Sequence, residues 1–140
     1  MLYALILALY CAARSTSTAS PFDEPPGALP LLPGYVHRSG GDSDTRTGSI
    51  TRADGFVIRY DIGRFAGVRA RTAREVRWRT STKFRGNQVE VAFANDRTLH
   101  VSFVQDRANF FARVTTDVDL AEMLLMTLGY APRAPDGPER

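Results

Sequence analysis

Between Gly48 and Val114 apolar residues recur at every second position, the period of strands that bury one face. In the first such pair, Gly48–Arg52 and Phe56–Ile62, the residues Ile50, Phe56, Ile58, Tyr60 and Ile62 are all even-numbered. For Ile50 to share a face with the rest, the connecting loop must have odd length, because a one-residue slip turns every side chain over. Ala53-Asp54-Gly55 supplies three residues, with glycine where left-handed backbone is wanted. The register so predicted sets Gly48 opposite Tyr60.

The same argument continues along the chain. Val76, Trp78 and Phe84 are even, whereas Val89, Val91 and Phe93 are odd, so an even loop is needed. Gly86-Asn87 is a two-residue turn of the right kind, predicting Phe84 opposite Val89 and Lys83 beside Glu90. This register also predicts a buried Trp78 between exposed Arg77 and Arg79. Asn95-Asp96-Arg97 gives the odd connection to Leu99, Val101 and Phe103. A last strand, Asn109 to Val114, follows a turn at Gln105–Ala108, and Phe110 and Phe111 compete for its inner face.

Periodicity changes after that strand. Leu120, Ala121, Leu124, Leu125 and Leu128 form one stripe at helical spacing, predicting a helix over Val118–Leu128. Thr116 or Asp117 can cap its start, and Gly129 suits its exit. The fold class expected is α+β with β dominant, an antiparallel meander of about six strands with the C-terminal helix packed on the sheet.

The flanks read differently. Leu2 to Ala13 is an apolar run too short to cross a bilayer as a helix but long enough for a signal-peptide core, so residues 1–20 are read as a signal peptide, with an uncleaved N-terminal apolar segment as the alternative. Cleavage after Ala13 would start the mature chain at Arg14, and the localisation expected is exported, periplasmic or secreted. Cys11, the single cysteine, ends an apolar stretch as a lipidated cysteine would, but the bulky Tyr10 before it argues against that anchor. Residues 21–34 hold five prolines and two glycines, and Ser39-Gly-Gly-Asp-Ser43 adds a flexible piece. The stretch 21–44 is therefore read as a linker, 45–130 as one globular domain and 131–140 as a tail.

Charge then singles out one region. The 140-residue chain carries +3, with 17 arginines and one lysine, Lys83. Eight of these basic residues fall between Arg64 and Arg85, with Glu75 as the single acid among them. Arg77, Arg79, Lys83 and Arg85 are expected on one outer face, as a binding row for a protein or an anionic envelope component. The plainer reading is an edge strand kept from aggregating by its charge. No exposed aromatic residues that could stack bases are expected to interleave with this row, which counts against nucleic acid.

Signals for chemistry are weak. His100 and Ser102 alternate on one strand with Glu90 across from Ser102, an arrangement that invites a small hydrolase or transferase. The chain has no Gly-x-Ser-x-Gly elbow, and a flat sheet supplies no oxyanion hole. His37 has no neighbour at metal-ligand spacing, Asp42 to Asp44 and Asp61 lack the pattern of a calcium loop, and Gly63 and Gly67 form no phosphate-binding fingerprint. No cofactor or metal is expected. Met123 and Met126 fall on the polar side of the helix, which marks them as contacts for a partner or a second copy. The leading expectation is an exported, non-enzymatic binding or accessory module.

Overall fold

A computed structural model describes residues 24–42 and 44–132. Seven strands form one antiparallel sheet: β1 (Tyr35–Asp42), β2 (Thr45–Arg52), β3 (Val57–Gly63), β4 (Val76–Phe84), β5 (Asn87–Ala94), β6 (Thr98–Phe103) and β7 (Ala108–Arg113). Two helices accompany it, the single-turn α1 (Arg69–Thr72) and the C-terminal α2 (Asp117–Thr127). The expected class, β-dominant α+β with a helix on the sheet, is the one observed. The spatial order is β1-β2-β3-β7-β6-β5-β4. Two meanders are therefore joined at a β3–β7 seam, and the chain travels from β3 through α1 to enter the far edge as β4.

The first hairpin has the predicted register, with Gly48 opposite Tyr60 and Ile50 opposite Ile58. Its glycine is obligatory for a steric reason, because a Cβ at Gly48 would run into the Tyr60 hydroxyl and the Arg38 carbonyl. The β5–β6 ladder also follows the prediction, pairing Val91 with Val101 and Glu90 with Ser102. In the β4–β5 hairpin the turn is Arg85-Gly86, both at positive φ, so Phe84 faces Asn87, Lys83 faces Gln88 and Val89 faces Thr82. The two-residue displacement preserves which face each side chain takes. Near the other end a bulge between Val76 and Trp78 takes Arg77 out of the ladder.

One face of the sheet holds the core. Ile50, Ile58, Tyr60, Phe110, Leu99, Val101, Phe103 and Val89 are fully or nearly fully buried there, and α2 covers them. Phe110 takes the inner position on β7, which leaves Phe111 for the opposite face. The helix meets the sheet through a face rotated from the centre of its leucine stripe, so that Leu120, Leu124 and Leu128 pack against the core only partly buried. Met123 and Met126 are completely buried at the centre of the core, while Leu125 is 65% exposed. The correction has an electrostatic cause. Thr116 and Asp119 form a reciprocal capping box, and Asp119 and Glu122 bind Arg52 at the end of β2, so rotation is set by these anchors. The remaining polar group on the inward face, the Thr127 hydroxyl, is satisfied by the Met123 carbonyl at 2.8 Å. Met123 and Met126 are thus not available to a partner.

The segment read as a linker belongs to the domain. Leu29 is buried, Leu31 and Leu32 pack against the core, and Tyr35 begins β1 with its ring against Phe56. Apolar Leu29, Leu31, Leu32 and Tyr35 sit among the prolines and glycines, and their burial outweighs the local breakers. The single-turn helix α1 was also not expected from the Gly63–Gly67 region; both glycines have positive φ and let the chain turn back over the sheet. The export segment, Cys11 and the tail from 133 lie outside the described residues, and no described helix is long and apolar enough to cross a membrane.

Candidate functional site

The second face of the sheet is where polar chemistry collects, and α1 divides it. Beneath α1 lie Asp61 (β3), Asn109 (β7), Ser102 (β6) and Glu90 (β5), all buried. Asn109 donates through Nδ2 to Asp61 Oδ1 at 2.7 Å and accepts at Oδ1 from the Ser102 hydroxyl at 2.7 Å and the Arg69 backbone N–H at 2.9 Å. Ser102 Oγ accepts from the Ala70 N–H at 3.0 Å. Arg69 and Arg71 clasp the two ends by ion pairs to Asp61 and Glu90. A single helical turn leaves its first N–H groups unpaired, and the cluster satisfies them.

This arrangement answers the hydrolase question residue by residue. Glu90 and Ser102 are brought together as predicted, but Ser102 has no exposed surface and its proton is directed at Asn109. Glu90 is held by Arg71. His100 stacks on Phe111 at 6.2 Å between centroids, and its Nδ1 is buried with no hydrogen-bond partner among the described residues. Burial, helped by the nearby Arg69 charge, holds its imidazole below the usual histidine range. The three residues serve α1 and the sheet face. His37 hydrogen-bonds the Tyr60 hydroxyl at 2.8 Å, and no group of three or more metal-capable side chains exists among the described residues.

Of the four residues expected to form a basic row, Arg79 and Lys83 keep one face of β4, and Arg77 and Arg85 leave it. Arg77 sits in the bulge, Lys83 projects from β4, and Arg85 occupies the turn with its guanidinium 5.3 Å from the Phe84 ring centre. Arg79 donates to the carbonyls of Ala70 and Ala73, 3.0 and 2.8 Å away, and so closes the C-terminal end of α1. Trp78 is 45% exposed, contrary to the expectation of burial. Its strand is the sheet's edge and carries exposed residues on both faces; among the described residues its aromatic neighbour is Phe93, 6.0 Å away between ring centres.

A different basic surface was missed. Cross-strand partners run Arg38–Ser49–Arg59–Phe111–His100, so these five residues line up across β1, β2, β3, β7 and β6 on the face that α2 does not cover. Arg113 lies two residues along from Phe111 on the same face. Arg38, Arg59 and Arg113 are exposed and form no ion pair among the described residues. The Arg69 guanidinium lies 4.6 Å from the centre of the Phe111 ring, which makes Phe111 the floor of a cationic neighbourhood. Beside the row a hollow of about 490 Å³ is lined in part by Arg59, Phe111, Arg113, Thr98 and Val57. Only long-range pairing could reveal it, since its arginines are isolated from one another in sequence.

The acids near the far end of that hollow are already committed. Arg52 binds Asp54, Asp119 and Glu122 at 2.6–2.7 Å. Burial pushes the Asp119 carboxyl up, but Arg52 and the N–H groups of Thr115 and Thr116 outweigh it and hold the group at about 2. The Tyr35 hydroxyl is raised by burial and by its 2.5 Å hydrogen bond to Glu122, whose carboxyl is lowered by that bond and by Arg52. These carboxylates therefore do not neutralise Arg59 or Arg113. Comparisons with protein-family models, curated proteins and solved structures find no significant match.

Proposed function

We propose that this protein is an exported, non-enzymatic binding module that holds an anionic component of the cell envelope against the sheet face bearing Arg38, Arg59, Phe111 and Arg113. The observation that supports this most is the set of three exposed arginines, none in an ion pair among the described residues, around a partly buried aromatic floor, while Asp54, Asp119, Glu122 and Asp61 are tied to Arg52 or Arg69 and Asp96 is the acid that Arg113 feels. Rigid strands fix the spacing of these cations, so little side-chain ordering beyond the guanidinium arms is needed to meet a polyanion. The alternative, a small hydrolase or transferase on His100, Ser102 and Glu90, has no observation in its favour, because its hydroxyl and its carboxylate are buried and engaged.

Retention of the purified protein on heparin and on anionic lipid vesicles tests the binding claim. Retention is expected to fall with added salt, since charges near the surface are screened over about 8–10 Å at moderate ionic strength. Arg59→Glu with Arg113→Glu should abolish it, and Arg77→Glu with Lys83→Glu should leave it largely intact. Unchanged retention by a folded Arg59→Glu/Arg113→Glu variant would refute the reading. The export claim is checked by intact mass of the mature chain, which should begin at Arg14.

A further inference from the structure

Strand β4 is a sheet edge, nine residues long and exposed over seven consecutive positions, Arg77 to Lys83. Every second residue of an edge strand directs its N–H and C=O away from the sheet, offering a template for another strand. Both edges carry a bulge, but that of β4, between Val76 and Trp78, leaves the ladder regular from Trp78 to Phe84, whereas that of β1 lies at two consecutive glycines between Ser39 and Gly41 and interrupts such a template. The two faces of β4 are also chemically distinct. Arg79 and Lys83 stand on the α1 face, opposite Ala92 and Gln88. Trp78 stands on the core face opposite Phe93, and Phe84 borders an apolar groove of about 560 Å³ shared with Ala121, Leu124, Leu125 and Leu128 of α2 and its exit.

We infer that β4 takes an extended segment of a partner protein as an eighth antiparallel strand, one whose side chains alternate acidic and apolar. The acids would lie beside Arg79 and Lys83, and the apolar residues over Trp78, Phe84 and the leucines of the groove. Alternation follows from the period of two in any strand. A second copy of this chain fits poorly, because antiparallel β4–β4 pairing centred on Ser81 would set Arg79 of one copy against Lys83 of the other. An anionic membrane would meet the charges but leave the backbone edge and the groove unfilled. This inference does not depend on the arginine face across β1–β3–β7.

The test uses a synthetic peptide of alternating glutamate and valine, and the same peptide methylated at its backbone nitrogens. Trp78, the one tryptophan of the chain, reports directly on β4. The unmodified peptide should shield Trp78 from iodide and shift its emission to the blue, with saturable binding. Methylation should weaken binding about tenfold or more, the equivalent of one to two lost backbone hydrogen bonds. Lys83→Glu should weaken it severalfold, while Arg59→Glu with Arg113→Glu should leave it unchanged. Three results would overturn the inference: equal affinity for the methylated peptide, binding that does not alter Trp78, or concentration-dependent dimerisation through β4 without peptide.

Discussion

Replacing Asn109 with alanine should be among the most damaging single changes to this protein, although it removes no apolar contact of the main core. The amide links Asp61, Ser102 and the first N–H of α1 in one buried cluster. Its removal orphans the Ser102 hydroxyl proton and the Arg69 N–H, and each unsatisfied buried donor costs about 1–3 kcal/mol. Asp61 also loses one charge-assisted bond while keeping Arg69. These losses share one network and do not simply add, and water entering the vacated space recovers part, so about 3–4 kcal/mol is expected. That is a large share of the roughly 5–15 kcal/mol typical of a domain. Urea unfolding followed by far-ultraviolet circular dichroism measures it, and hydrogen exchange at Arg69 and Ala70 should accelerate as α1 loosens. Asn109→Asp provides an internal check. At pH 7 it sets a second carboxylate against Asp61 and should be at least as unstable, with recovery on mild acidification as the pair shares a proton. A loss below about 1 kcal/mol for Asn109→Ala would refute the claim that this cluster anchors α1.

Three further outcomes are expected. Iodide should quench Trp78 readily in the folded protein, because nearly half of its surface is open. Asp119 sits at about 2 against an ordinary 3.8, so its stabilisation is complete above about pH 4 and is lost as pH falls through 2. After discounting for screening this amounts to about 1–2 kcal/mol, and melting temperatures across pH 5 to 2 should show a shallower acid limb in Asp119→Asn. Met126→Ser should cost about 3 kcal/mol and Leu125→Ser less than about 0.5, a contrast that urea midpoints resolve and that equal values would contradict.

Local pattern carried a good part of this fold, and its failures share a cause. Alternation and loop parity placed Ile50 opposite Ile58 and Val91 opposite Val101, because neighbouring strands settle those relations within a few residues of each other. What alternation cannot express is which strand lies beside which when they are distant in sequence. The β3–β7 pairing sets Arg59 next to Phe111, so the arginine face had no local signal. Edge position likewise decided Trp78, whose even number promised burial under a cover that the fold does not supply. The orientation of α2 is rotated from its leucine stripe towards Met123 and Met126, with Leu120, Leu124 and Leu128 at the margin of the core, because Arg52, far upstream, binds Asp119 and Glu122. For the site, Glu90 opposite Ser102 was readable from strand parity, but the helix turn that buries both was not.

The seam between the two meanders has a consequence for how the chain reaches its fold. Hairpins within each meander close short loops, whereas Asp61 and Asn109 are 48 residues apart, so the seam forms against the larger entropy loss and is expected to close last. Until it does, β3 and β7 are both temporary edges carrying Ile58, Tyr60 and Phe110, the kind of apolar strand that pairs wrongly with other molecules. Each of those edges also carries one polar residue that will be buried, Asp61 on β3 and Asn109 on β7, directly opposite each other in the correct register. A seam displaced by one residue separates that pair and leaves a buried carboxylate facing no amide. The polar cluster thereby acts as a proofreading device for strand docking, penalising misaligned partners within the chain and mismatched neighbours outside it.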